Sequence, residues 1–137
     1  MPNKNDRVII DTNLWISFLL INDFSKLERI LSDKLITLIF SDTLINEFIE
    51  VAQRDKFKKY FTKIDLENLI LRLREVGEFI DVVSTIAICR DAKDDFLLAL
   101  AKDGKATHLI TGDKDLLDIK IFGRTKIITI TNYLLNK

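Results

Sequence analysis

Two short apolar runs in this chain end on an aspartate: "VIID" closes at Asp11 and "LITGD" closes at Asp113. Further carboxylates stand at Glu47 and in the group Asp91, Asp94 and Asp95. Carboxylates gathered in one place repel each other, and they stay ionised together mainly when a cation compensates them. Oxygen donors without His or Cys select hard ions, so the expected cofactor is Mg²⁺ or Mn²⁺. Such an ion activates water and steadies the charge that builds on a phosphate under attack, with no nucleophilic side chain required. That suits a chain whose one histidine, His108, falls inside a predicted strand and reads as structural. The single cysteine, Cys89, lacks a positioned His partner, which argues against a thiol protease or phosphatase.

Each carboxylate also has a plainer reading. Asp11 and Asp113 are placed to cap the helices that follow them. Glu47 sits at the margin of an apolar stripe formed by Leu44, Ile45, Phe48 and Val51, and reads either as a solvated residue or as one looking into a cleft. Asp91, Asp94 and Asp95 open a helix, where negative charge complements the dipole, although three are more than capping needs. Residues alone leave these alternatives open.

The elements that must position them alternate between strand and helix. Residues 8–10 are β-branched throughout, as in a strand buried on both faces, and Thr12 or Asn13 is the expected cap of a helix over 14–21. An amphipathic helix over 25–33 and a strand over 35–40 follow. Ser41 or Asp42 then caps the helix that carries Glu47, and a further helix ends near Gly77. "FIDVV" predicts a third strand over 79–83, "THLIT" a fourth over 107–111 and "KIITI" a fifth over 126–130. Between the third and fourth lies an Asp-capped helix closed by Gly104; a short helical turn spans 114–117, and a helical tail ends the chain. The fold class expected is α/β: a parallel sheet of about five strands with helices on both faces. In such sheets the ligand site lies outside the carboxyl ends of the strands, where Asp11 and Asp113 fall.

At 137 residues, 47% hydrophobic and 31% charged, the chain is expected to form a single domain, residues 1–137, with a sizeable core. One cysteine excludes an internal disulfide. No apolar stretch is long enough to span a membrane, and the polar start "MPNKNDR" has no secretory h-region, so a cytoplasmic protein is expected. Twenty-one basic residues balance 21 acidic ones. The balance hides a local basic segment, in which Arg54, Lys56, Lys58, Lys59 and Lys63 interleave with Phe57, Tyr60 and Phe61. Cations there are candidates for phosphate contacts (Arg54, Lys56, Lys58 and Lys59 above all), and the aromatics for stacking on unpaired bases. Trp15 reads as core or as a dimer contact.

"VIIDTNLWIS", "FSDTLINEFIEVAQRDKF", "CRDAKDDFLLALAKDGKATHLITGDKDLL" and "IITITNYL", in this order and spacing, resemble a PIN domain over residues 8–134. The similarity is to the small stand-alone bacterial and archaeal PIN proteins that act as toxin components of toxin–antitoxin pairs. The resemblance implies a three-layer α/β/α fold and a metal-dependent ribonuclease whose metal site is built from four acidic positions. Those are Asp11 of "DTN", Glu47 of "INEF", Asp94 of "KDDF" and Asp113 of "TGD", with Asp95 competing with Asp94 for the third place. Asp91 and Asp95 become auxiliary ligands, Asn13 and Thr111 supporting residues, and Asp115 the cap of the short helix. Ala92 departs from a Pro common in the family, with no consequence for the acidic set. The resemblance also implies RNA as substrate, a homodimer and a small antitoxin protein as partner.

A PIN-fold nucleic-acid-binding module with little nuclease activity is the alternative from another class. A receiver-type phosphoacceptor domain needs an Asp ending the third strand and a Lys ending the fifth; here Ser84-Thr85 and an initial Lys126 stand instead. A haloacid-dehalogenase-type phosphatase needs a second Asp two residues after its nucleophile, where Asn13 stands.

Overall fold

A computed structural model describes residues 5–21, 25–60 and 62–136, Leu19 by its backbone alone. In chain order the elements are β1 (Asp6–Ile10), α1 (Thr12–Ile21), α2 (Ser25–Leu31), β2 (Ile36–Phe40), α3 (Asp42–Ala52), α4 (Asp55–Lys58) and α5 (Lys63–Val76). Then come β3 (Gly77–Phe79), α6 (Ala92–Asp103), β4 (His108–Ile110), α7 (Lys114–Ile119), β5 (Ile121–Phe122), β6 (Thr125–Ile128) and α8 (Ile130–Leu135). The fold is α/β. Its six strands run in the order β3-β2-β1-β4-β6-β5, all parallel except β5 against β6.

The β-branched run Val8, Ile9 and Ile10 is buried, as a central strand covered on both faces requires. Val8 lies in register with Leu38 of β2 and His108 of β4. Phe40 of β2 stacks on Phe79 of β3 at 5.7 Å and meets Trp15 of α1 at 6.2 Å, which places α1 on that face. Trp15 is thus a core residue, packed also on Phe48 of α3. A Cβ on Gly77 would come within 2.6 Å of the Phe40 ring and 2.7 Å of the Leu73 carbonyl oxygen, so α5 turns into β3 through a gap that only glycine leaves. The neighbouring Ile39 points the other way, since side chains alternate along a strand. A Cβ on Gly104, just past α6, would lie 2.9 Å from Ile39, so α6 covers the opposite face. The core therefore fills both sides of the sheet, the three-layer arrangement expected.

Four expectations need correction. The third strand is Gly77–Phe79 rather than residues 79–83. β3 pairs with β2, and β2 stops at Phe40 because Ser41 caps α3; the last bond of the ladder runs from Ile80 N–H to the Phe40 carbonyl at 2.8 Å. Beyond it Asp103 takes the amides of Val83 and Ser84 at 2.7 and 2.8 Å, so "DVV" binds a helix instead of a sheet. The fifth predicted strand is β6 and ends at Ile128, where Thr129 caps α8 with its side chain. A sixth strand, β5, adds to the five expected: two residues paired antiparallel through a turn in which Gly123 has φ +60°. Finally, α1 begins at Thr12, and it is the Asp11 carboxylate that accepts the Asn13 N–H at 3.2 Å, ahead of either residue expected to cap it.

Candidate functional site

Asp11 follows β1 directly, and Asp113 follows β4 by three residues, so both stand at the carboxyl edge of adjacent parallel strands. Thr111 joins them. Its hydroxyl donates to Asp11 Oδ2 at 2.8 Å and accepts the Asp113 N–H at 3.0 Å. Thr111 is fully buried and Asp11 only 6% exposed. Burial pushes the Asp11 carboxyl up, against the pull of the Thr111 and Asn13 hydrogen bonds, and the charges of Asp113 and Asp91 raise it further.

From the opposite layer α6 brings its N-terminus to the same place. Asp91 caps it, accepting the Lys93 N–H at 2.9 Å. Asp94, in the first turn, is 5% exposed, and its Oδ2 is buried with no hydrogen-bond partner among the described residues. Its carboxyl is pushed up to about 6, first by burial and then by the charges of Asp113, Asp91 and Asp11. Carboxylate oxygens of Asp94, Asp113 and Asp115 lie within 4.8 Å of one another.

α3 supplies the facing wall. Asp11, Asn13, Glu47, Asp91, Asp94 and Asp113 all line one cavity of about 230 Å³, and Arg54, Lys56, Phe57 and Lys93 line it with them. Glu47 is thus the residue looking into a cleft, and its Oε1 meets Lys93 Nζ at 3.6 Å. All four principal carboxylates expected from the sequence stand around one space, with Asp91 at its rim.

Other candidates go elsewhere. Asp95 is not a wall of the cavity: its Oδ1 accepts the amides of Ile88 and Cys89 at 3.0 and 2.8 Å. Neighbouring helix residues point about 100° apart, so only one of the Asp94–Asp95 pair can face the strands. Asp115 does not cap α7; Asp113 does, accepting the Asp115 N–H at 2.8 Å. Asp115 instead pairs with Arg90 at 2.9 Å and completes the close carboxylate group. The signal that could have found it is the Asp-Lys-Asp spacing at the start of a helix, where one residue caps and the second leans back over the first turn. Lys93 also stands outside the expected set, for want of any reason in the sequence to look for a cation among carboxylates.

The basic segment divides. Arg54 and Lys56 reach the cavity; Lys58 pairs with Asp55 at 3.4 Å on another side, and Lys59 sits over the Tyr60 ring at 5.3 Å. Phe57 is half-buried against the core, Tyr60 is exposed, and Phe61 lies outside the described residues. The Cys89 thiol is raised to about 11 by burial and by Asp95, which keeps it protonated and unreactive. His108 bonds Thr107 at 2.8 Å and packs edge-on against Tyr133, at the far end of its strand from this cavity.

Comparison with protein families gives one result. The family described as PIN domain matches residues 7–115, a span that holds every carboxylate lining the cavity. No curated protein and no solved structure matches the chain.

Proposed function

The chain belongs to the PIN domain family, whose members are generally nucleases, and from that premise we propose that it is a metal-dependent endoribonuclease. The observation that carries the proposal is the crowding of Asp94, Asp113 and Asp115 at the strand ends, with one buried Asp94 oxygen left without a donor. Buried polar atoms are normally satisfied. A set of oxygen donors that raises its own members' pKa and leaves one oxygen unmatched suits a hard divalent ion, Mg²⁺ or Mn²⁺.

In this reading Asp11, Glu47, Asp94 and Asp113 hold one or two ions, with Asp91 and Asp115 at the margin. A bound ion would supply activation of a water and compensating positive charge. The chain's own residues do the rest. Thr111 and the Asn13 amide fix the Asp11 carboxylate, so that it is oriented before any ligand arrives. Asp113 is fixed in the same way by its bond to the Asp115 amide. Arg54 and Lys56 take backbone phosphates of an RNA strand entering between α3 and α6, and Phe57 forms an apolar wall beside them. A toxin role, a homodimer and a small antitoxin partner follow from the resemblance to stand-alone PIN proteins alone.

The test is a structured RNA pool incubated with the purified protein and MnCl₂ or MgCl₂. Cleavage is expected, and is expected to vanish with EDTA and to be lost in Asp94→Asn, which removes a carboxylate from the proposed metal site. Intact RNA with proven metal binding would favour the nucleic-acid-binding module; no metal binding would sink the mechanism.

A further inference from the structure

Lys93 is the second residue of α6, in a turn whose exposed amides and dipole favour anions. A cation there is misplaced on helix grounds alone. Its backbone N–H is held by the Asp91 cap at 2.9 Å, which fixes where the side chain begins. From there the side chain crosses the cleft from α6 to α3 and puts Nζ 3.6 Å from Glu47 Oε1. That is the ion pair of Glu47 among the described residues. Lys93 also lines the cavity around Asp11, Asp94 and Asp113 and continues into the open groove beside α3, with Thr43, Asn46 and Glu50. The side chain is 59% exposed, so it is free to swing into that groove, whereas Glu47 at 24% is the more confined partner.

We propose that Lys93 is a displaceable counter-cation of the carboxylate cleft, competing with the divalent ion for Glu47. The inference rests on the metal site proposed above. Without an ion, the ammonium neutralises part of the cleft from Glu47. When an ion binds, the ammonium leaves Glu47 and moves out along the groove. Divalent affinity is thereby set below what the carboxylates alone would give.

The test is thermal stability of the EDTA-stripped full chain, titrated with MnCl₂, for wild type, Lys93→Met, Lys93→Arg and Lys102→Met. Lys102 lies at the other end of α6 and controls for overall charge. In Lys93→Met the Mn²⁺ midpoint is expected to fall about fivefold, the scale of removing one positive charge near a divalent ion under water-like screening. Lys93→Arg is expected to stay near wild type, and Lys102→Met to leave the midpoint unchanged. A merely structural role for Lys93 would weaken Mn²⁺ binding rather than tighten it. A wild-type midpoint retained or raised in Lys93→Met would overturn the proposal while leaving the metal site standing. A wild type that gives no response to MnCl₂ would overturn both.

Discussion

The two ends of the β1–β4 strand pair each carry aspartates, and they treat them in opposite ways. At the amino end, Asp6 Oδ2 accepts the Tyr133 hydroxyl at 2.7 Å, and His108 and Thr107 extend the polar contact. That end is a clasp: it ties α8 back to the first strand with donors matched to acceptors. At the carboxyl end Asp11 and Asp113 have donors of their own, but their charges and that of Asp91 bear on Asp94, which keeps a buried oxygen unmatched. The same residue type stabilises the fold at one end and strains it at the other. Excess negative charge that folding does not need is what the proposed ion would compensate.

The largest effect that separates the ends is pH. If Asp94 is a ligand, as proposed, it must lose its proton to hold an ion, and burial pushes its carboxyl up to about 6. Mn²⁺ affinity is expected to be constant above that pH and to fall about tenfold per unit below it, as a single competing proton requires. Calorimetric titration between pH 5 and 8 reads this directly; a flat profile would mean that Asp94 is no ligand. The sign for metal-free stability is the reverse. A carboxyl raised in the folded state binds more protons than it does unfolded, so stability without metal falls as pH rises from about 4 through about 6.

Substitution gives the next largest contrast. Tyr133→Phe removes a nearly buried hydroxyl from a carboxylate and is expected to destabilise by about 2 kcal/mol. Asp94→Asn removes a buried charge and the like-charge repulsion around it, and is expected to stabilise the metal-free protein by about 1 kcal/mol, a few degrees in Tm, at pH 7. Denaturant melts in EDTA measure both. Two changes of the same sign would end the contrast between clasp and strained site.

The smallest effect concerns the basic segment. Arg54→Ala, at the cavity, is expected to raise KM for RNA about three- to tenfold with kcat little changed, and to reduce the salt dependence of binding. Lys58→Ala, outside the cavity, is expected to do neither, although both cations have an acidic neighbour, Asp55 for Lys58 and Glu50 for Arg54. Equal effects from the two would return the whole segment to a diffuse electrostatic role.

Much of this arrangement is legible in the amino-acid sequence. Period and capping locate β1, β2, α3 and α6, because Val8–Ile10, Ser41 and Asp91 do locally what the fold also requires of them. That agreement of levels is what makes a segment legible. "FIDVV" misleads because its apolar pattern is real, but the partner strand ends at Phe40, and only tertiary context says so. β5 is two residues long and carries no periodicity at all. Within the site, strand ends and helix starts are legible. The choice of Asp94 over Asp95 as a wall of the cleft, the pairing of Asp115 with Arg90 and the reach of Lys93 depend on helix rotation and side-chain direction, which a one-dimensional pattern does not carry.

The segment between β3 and α6 has a consequence for how this chain can change over generations. Past the Ile80 bond to Phe40 it has no ladder or helix of its own, yet α6 grips it at two points, Asp103 near its start and Asp95 near its end. Between the grips Thr85 and Ala87 are exposed, and Ile86 packs against the core. Added or lost residues would be absorbed with least disturbance on either side of Ile86, while the same change a few positions on would rotate or shift the first turn of α6. A stretch that looks like a spacer is therefore a measured length of tether, tolerant at its middle and intolerant at its ends.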